Sequence, residues 1–264
     1  MNGLTALARK AWLETRARFL VGAAAVVGVA GFMTLMRPEI AAQWRRDLVE
    51  HPEWQNPIWF DQVLNDYSFY LWHYLYQDML QKVLVVFAVL LGVGGLTREA
   101  QYGTAGFTLG LPLRRPTVIG VRAAVSAGQL TLLALAAVAT IMVGSSIVGE
   151  PYPAGHALLH GALMLLGALV ALAASLAVSA AIEGEHAPML IGLSAVSLLY
   201  FLAAPYSDGG PEPPVVRALN LPGVMAGGPG AGTADIRWAG VAVAAALAAL
   251  AFGFACKRSM RRDY

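Results

Sequence analysis

The chain has 264 residues, of which 58% are hydrophobic and only 13% are charged, and its mean hydropathy of +0.60 lies outside the range of ordinary soluble domains. The formal net charge of +2 gives no indication of nucleic-acid binding, and the single cysteine, Cys256, excludes an internal disulfide and a cysteine-based zinc site. Because the apolar residues lie in long uninterrupted runs, the composition predicts an all-α, polytopic membrane protein with one transmembrane domain over residues 1–264.

Taken in chain order, the apolar runs predict six transmembrane helices. Residues 1–18 combine apolar positions at helical spacing with four basic side chains, which indicates an interfacial elbow helix. A basic tail that only fixes topology accounts for the same residues. The predicted spans cover residues 19–36, 79–97, 123–148, 157–182, 187–204 and 238–256.

The basic residues predict the orientation of these spans. Twelve of the 18 Lys and Arg residues fall on the side of the two termini. The positive-inside rule therefore predicts a multi-pass protein of a bacterial inner membrane with both termini in the cytoplasm. An even number of spans agrees with this orientation.

Two segments are predicted on the outer side. Residues 37–78 are dense in Trp and Tyr, and we interpret them as one or two amphipathic helices on the outer surface, broken near Pro52 and Pro57. We favour an interfacial aromatic belt there over a substrate-binding aromatic surface. Residues 207–235 are rich in Gly and Pro, which predicts a re-entrant or surface-lying hairpin that caps a central pathway.

Small residues recur at every fourth position of the fourth span, at Gly167, Ala171, Ser175 and Ser179. This spacing lets helix backbones approach closely and predicts a packing seam, inside the subunit or between two copies. His156 and His160 share one face of the same helix, where a metal site competes with ordinary packing; few other ligand types stand nearby, so packing is favoured.

The predicted cytoplasmic connection over residues 98–116 is unusually patterned for a loop. Glu99 lies where the positive end of a helix beginning near Arg98 favours a carboxylate, and Pro112 ends that helix. A helix-end charge and a contact with a partner protein both account for Glu99. The predicted helix has an apolar edge at Phe107, Leu109 and Leu111. Arg114 and Arg115 follow where the chain re-enters the lipid, and both snorkelling and contact with a partner protein account for them.

This pattern resembles that of type-2 ABC transporter permeases. Glu99, Gly103-Thr104, Leu109, Pro112 and Arg115 follow their Glu, Gly-Thr, Leu-x-x-Pro-x-x-Arg arrangement, and the order of elbow helix, six spans and outer hairpin is similar. The resemblance implies that the segment is a coupling helix that docks on a separate ATPase. The implied ATPase-coupling interface consists of Arg98, Glu99, Gly103, Thr104, Phe107, Leu109, Leu111, Pro112, Arg114 and Arg115.

The resemblance also implies the composition of the assembly. Two permease chains, identical or homologous, work with two ATPase subunits that bind ATP and Mg, and they export a hydrophobic or amphipathic substrate. This chain contains no Walker-type Gly-Lys-Ser/Thr, so it is expected to be a transport subunit with no catalytic, cofactor or metal site of its own. Two alternatives remain open: a non-transporting membrane sensor or assembly factor, and a membrane-embedded lipid-modifying enzyme.

Overall fold

A computed structural model describes residues 3–51, 58–94, 99, 102–103, 106, 108, 110, 114–182, 186–203, 213–229 and 236–261. Every regular element in these ranges is a helix, which confirms the predicted all-α class. The helices of the described ranges are α1 Gly3–Leu35, α2 Arg37–Glu50, α3 Ile58–Asn65, α4 Tyr67–Gly92, α5 Arg115–Ile147, α6 Ala154–Ala181, α7 Ala187–Ala203, α8 Pro214–Leu219, α9 Leu221–Ala226 and α10 Trp238–Met260.

Five of these helices are long and apolar enough to cross a membrane: α1, α4, α5, α6 and α10. The apolar part of α7, Ala187–Leu202, is shorter. Length and composition therefore support five spans among the described residues. The span predicted over residues 187–204, which corresponds to α7, stays a prediction.

Helix α1 is one continuous helix that runs from the predicted elbow helix, residues 1–18, into the first predicted span, residues 19–36. It continues for 33 residues, about 50 Å, through residues 18 and 19, where the elbow helix was expected to end and the first span to begin. No proline or glycine interrupts the chain there, and Arg18 is tied to α4 by hydrogen bonds to the carbonyls of Leu90 and Val93. A separate interfacial helix is thus not confirmed.

Helix α4 begins at Tyr67, well before residue 79, where the second span was predicted to begin. The Asp66 side chain caps it by accepting hydrogen bonds from the backbone N–H groups of Ser68, at 2.8 Å, and Phe69, at 3.2 Å. Over Leu71–Leu80 the helix is π-helical. The chain from Tyr67 onward therefore belongs to the helix bundle rather than to a surface loop.

Helix α6 lies at the centre of the bundle and packs against α4, α5, α7, α9 and α10. Its small residues face neighbours of the same subunit. A Cβ at Gly167 would lie 2.2 Å from Met225 Cγ of α9, and the Ser175 hydroxyl donates to the carbonyl of Val89 at 2.9 Å. The seam predicted on this helix is therefore an internal one.

The predicted outer hairpin contains the two short helices α8 and α9. The Asn220 side chain separates them by accepting a hydrogen bond from the Gly223 N–H at 2.9 Å, which caps α9. Met225 is buried against α6. The remainder of the predicted hairpin, residues 207–212 and 230–235, lies outside the described residues.

Candidate functional site

A group of charged side chains lies where α1 and α5 begin and α4 ends; we call this the Lys10 end of the bundle, and the opposite end the Tyr67 end. Lys10 Nζ donates to Glu99 Oε1 at 2.6 Å and to Thr108 Oγ1 at 2.6 Å. The Thr108 hydroxyl donates to Glu99 Oε2 at 2.5 Å. Both carboxylate oxygens of Glu99 are therefore engaged within the chain, and the two hydrogen bonds that Lys10 donates join the segment after α4 to α1.

Burial strengthens this triangle. Thr108 is buried, and the side chain of Glu99 is 12% exposed, whereas that of Lys10 is 40% exposed. Hydrogen bonds to ionised groups are roughly twice as strong as neutral ones, and the shielded carboxylate has little water to replace them. Glu99 thus anchors the segment that follows α4.

Arg122 makes a second connection at the Lys10 end. Its Nη1 donates to Glu14 Oε2 at 3.1 Å and its Nη2 to the carbonyl of Val93 at 3.0 Å, so it links α5 to both α1 and the end of α4. Gly94 has φ +104°, and a Cβ there would lie 3.2 Å from Arg122 Nη2. Glycine therefore permits both the turn and the close approach of the guanidinium.

Side chains from three helices hold the backbone carbonyls where α4 ends. The last carbonyls of a helix lack partners within the helix and need others when water is excluded. The donors come from α1, α5 and α6, and cations at a helix C-terminus also interact favourably with its dipole. We call this set the α4 collar: Ser175 to Val89 O at 2.9 Å, Arg18 to Leu90 O at 2.5 Å, Ser126 to Leu91 O at 3.1 Å, Arg18 and Arg122 to Val93 O at 3.1 and 3.0 Å, and Ser179 to Gly94 O at 3.3 Å.

Comparison with models of known protein families identifies the family of this chain. The sequence model described as ABC-2 family transporter protein matches residues 14–215, from α1 into α8. The chain belongs to the ABC-2 transporter family. No curated protein and no solved structure matches it.

Membership confirms the resemblance found in the sequence. Together with the five long apolar helices, it makes the chain a multi-pass membrane protein and a transport permease, a subunit type without an ATPase site of its own. Permeases of the ABC-2 family generally work with an ATPase subunit.

The predicted coupling residues of this ABC-2 permease are only partly described. Glu99 lies in the triangle with Lys10 and Thr108. Gly103 is exposed with φ +67°, Arg114 is the exposed N-cap residue of α5, and Arg115 begins that helix. The other predicted residues lie outside the described residues: Arg98, Thr104, Phe107, Leu109, Leu111 and Pro112. The predicted coupling helix is therefore not confirmed.

Sequence reasoning missed the partners of Glu99 and the role of Arg122. Lys10 was one of the four basic residues of the predicted elbow helix and Arg122 only one of the charges that set the orientation, yet each bonds a side chain far away in the sequence. No spacing pattern joins residues 89 or 108 positions apart. The only available signal was that Glu14 and Glu99 are acidic residues among many basic ones on the side of the termini.

Three tyrosines at the Tyr67 end are buried rather than arranged in a surface belt. Tyr67, Tyr70 and Tyr76 are each at most 7% exposed. The Tyr67 hydroxyl is 2.8 Å from Ser145 Oγ, and the Tyr70 hydroxyl donates to the carbonyl of Met33 at 2.9 Å. For these three tyrosines the predicted belt is wrong, because they lie on the face of α4 that turns to the bundle.

Arg37 is the buried cation of this cluster. It is 8% exposed, donates to the carbonyl of Leu64 at 2.9 Å, and lies 5.9 Å from the ring centres of both Tyr67 and Tyr70. Its ion pair with Glu150 is longer, at 3.8 Å. Arg37 therefore fastens the start of α2 to the segment before α4.

Two further groups at this end have structural roles. Burial raises the pKa of Tyr152, which lies in the connection between α5 and α6, so its hydroxyl stays protonated at neutral pH. The His160 ring stacks on Tyr76 with centroids 4.4 Å apart. Within the described ranges, no group of three or more His, Cys, Asp or Glu side chains converges as a metal site would require.

Proposed function

We propose that this chain is the permease subunit of an ATP-driven exporter and that the Lys10 end faces a separate ATPase in the cytoplasm. In the proposed assembly, two permease chains and two ATPase subunits sit in a bacterial inner membrane. The substrate is a hydrophobic or amphipathic compound. Twelve basic residues on the side of the termini support the orientation, and membership of the ABC-2 family supports transport.

The observation that carries the proposal is the attachment of the segment after α4 to the rest of the bundle. Glu99 joins that segment to Lys10 of α1, and the α4 collar joins the end of α4 to α1, α5 and α6. When the segment is displaced, these helices move with it as long as the hydrogen bonds hold. The segment is thus suited to pass movement of a partner to four membrane helices together.

The proposed mechanism assigns two roles at this end. The exposed part of the segment and the start of α5, with Arg114 and Arg115, dock on the ATPase. Glu99, Lys10 and Arg122 position the docked segment and transmit its movement. ATP hydrolysis takes place in the partner, because the sequence has no Walker-type Gly-Lys-Ser/Thr.

The test is co-expression of the permease with a single-domain ATPase encoded next to it, followed by affinity purification and an ATPase assay in lipid vesicles. The two proteins should co-purify, and the permease should change the turnover of the ATPase. Arg115→Ala should weaken association about tenfold, the effect of losing one charge-assisted contact. Glu99→Gln should leave association intact and lower the stimulated turnover, because Glu99 bonds within the chain.

Glu39→Gln is the matched control, since it makes the same chemical change at an exposed position near the Tyr67 end. It should alter neither association nor turnover. A permease that is folded in vesicles but neither binds the ATPase nor changes its turnover contradicts the proposal. In that case a sensor or an assembly factor becomes the better interpretation.

A further inference from the structure

An apolar groove runs between α6 and α7, with α4 as its floor and α9 at one end. It has about 100 Å³ of open room, and its lining is almost entirely aliphatic. The walls include the small residues Ala174 and Ser175 from α6 and Gly192 and Ala195 from α7 next to larger aliphatic ones, and the floor includes Val85. The groove is therefore narrow and lies among membrane-spanning helices.

Close packing of α7 on α4 gives the groove its depth. A Cβ at Gly192 would lie 2.8 Å from Val89 Cγ1, so glycine lets the two helices approach. From Val170 to Val178 the wall on α6 extends for two turns of helix, about 12 Å. The shape is that of a slot parallel to the helices rather than a round cavity.

The mouth of the groove faces away from the bundle. Ala174 and Ala195, on its two walls, are exposed, whereas Val85 and Val89 on the floor are buried. In a multi-pass membrane protein, an exposed face of a spanning helix that no second protein covers borders the hydrocarbon of the bilayer. An alkyl chain can therefore enter sideways without crossing water.

One polar group in the groove has no hydrogen-bond partner in the part of the chain that the structure describes. The hydroxyl oxygen of Tyr200 is buried and makes no hydrogen bond with any residue that the structure describes. Tyr200 lies in the last turn of α7. A buried hydroxyl without a partner is costly at membrane depth, and a ligand that brings an acceptor removes this cost.

We propose that this groove binds a single-chain amphiphile whose alkyl chain lies in the slot. A hydrogen-bond acceptor next to that chain, such as an ester or phosphate oxygen, accepts a hydrogen bond from the Tyr200 hydroxyl. Because the open room is only about 100 Å³, the proposed occupant has one alkyl chain rather than two. The inference deepens the proposed function and rests on it only for the step from a bound amphiphile to a transported one.

The test uses the purified full chain in phosphatidylcholine vesicles without any ATPase. A lysophosphatidylcholine carrying a photoactivatable diazirine on its chain is the probe, and labelled peptides are identified by mass spectrometry. Labelling should map to α6 and α7 and should saturate, even though two-chain lipid is present in large excess. Tyr200→Phe should weaken binding about fivefold, the effect of one neutral hydrogen bond.

Ala195→Phe fills the groove and should abolish saturable labelling. Leu198→Phe is its matched control, because Leu198 is exposed on the same helix and does not line the groove. Ala174→Phe closes the mouth from the other wall and keeps the test informative if Ala195→Phe does not fold. Both groove variants are compared only after insertion into vesicles and a single gel-filtration peak are established.

Two results overturn the inference. One is equal labelling by a diazirine-bearing phosphatidylcholine at the same mole fraction, which makes the occupant an ordinary bilayer lipid. The other is labelling that neither groove variant reduces. Because no ATPase is present, these results are independent of whether the proposed ATPase partner is found.

Discussion

The contact between Lys10 and Glu99 can be measured with a double-mutant cycle. Lys10→Met removes the ammonium group and keeps most of the apolar stem, and Glu99→Gln removes the charge at nearly constant volume. Each single change leaves the other member of the pair charged, whereas the double change leaves neither. Glu14, which lies 3.8 Å from Lys10, loses that contact both in Lys10→Met and in the double variant, so its contribution cancels in the cycle. The coupling free energy therefore isolates the ion pair from the packing of the two side chains.

The structure bounds the expected coupling. Hydrogen bonds to charged groups contribute about 1.5 to 3 kcal/mol, and fully exposed ion pairs contribute about 0.2 to 1 kcal/mol. The 2.6 Å contact joins a carboxylate that is 12% exposed to an ammonium side chain that is 40% exposed, so it lies between these limits. We expect a coupling free energy of about 1 kcal/mol, and about 2 kcal/mol for Glu99→Gln alone, because that change also weakens the bond with Thr108.

The assay is unfolding in mixed micelles by titration with sodium dodecyl sulfate, followed by tryptophan fluorescence. Lys82→Met and Asp78→Asn form the control cycle, because that i,i+4 pair is about half exposed on both sides, at 50% and 51%. Its coupling should not exceed about 0.5 kcal/mol. A coupling below about 0.3 kcal/mol between Lys10 and Glu99 would refute the assignment of Glu99 as an anchor.

Two other predictions concern packing and the buried cation. Gly167→Ala places a Cβ 2.2 Å from Met225 and should lower the free energy of unfolding by about 1 to 3 kcal/mol. Gly28→Ala, where a Cβ would have nothing within 4 Å, should raise the free energy of unfolding by about 0.5 kcal/mol. Equal effects of the two variants in the same unfolding titration would contradict the seam. Arg37→Met should speed proteolysis of the α2–α3 region, because it removes the bond that fastens α2. Glu150→Gln should change the rate little, since its side chain is 46% exposed and 3.8 Å from Arg37; limited trypsin digestion followed by mass spectrometry distinguishes the two variants.

Much of the fold could be predicted because it depends on local runs of residues. The helices predicted at 123–148, 157–182 and 238–256 correspond to α5, α6 and α10, since an apolar run long enough to span hydrocarbon has few alternatives to a helix. The family could also be recognised, because the residues that carry the resemblance lie within one short segment.

Helix ends and burial were harder to predict because they depend on neighbours. Tyr67 and Tyr70 have the composition of an interfacial belt, but α4 turns them toward the bundle, where Ser145 and Met33 supply their partners. Whether a tyrosine faces lipid headgroups or a protein core is decided by which helix packs beside it. A single sequence contains no direct record of that neighbour.

The sequence by itself determined that this protein is a helical membrane protein, which side of it is rich in positive charge, and which segment resembles a coupling element. Only the tertiary structure decided that Glu99 bonds Lys10, that Arg122 joins Glu14 to the end of α4, and that α1 continues without a break. The physical reason is the range of the interactions. Hydrophobicity and net charge add up along a local stretch of chain, whereas a hydrogen bond forms only when packing brings its donor and acceptor within about 3 Å.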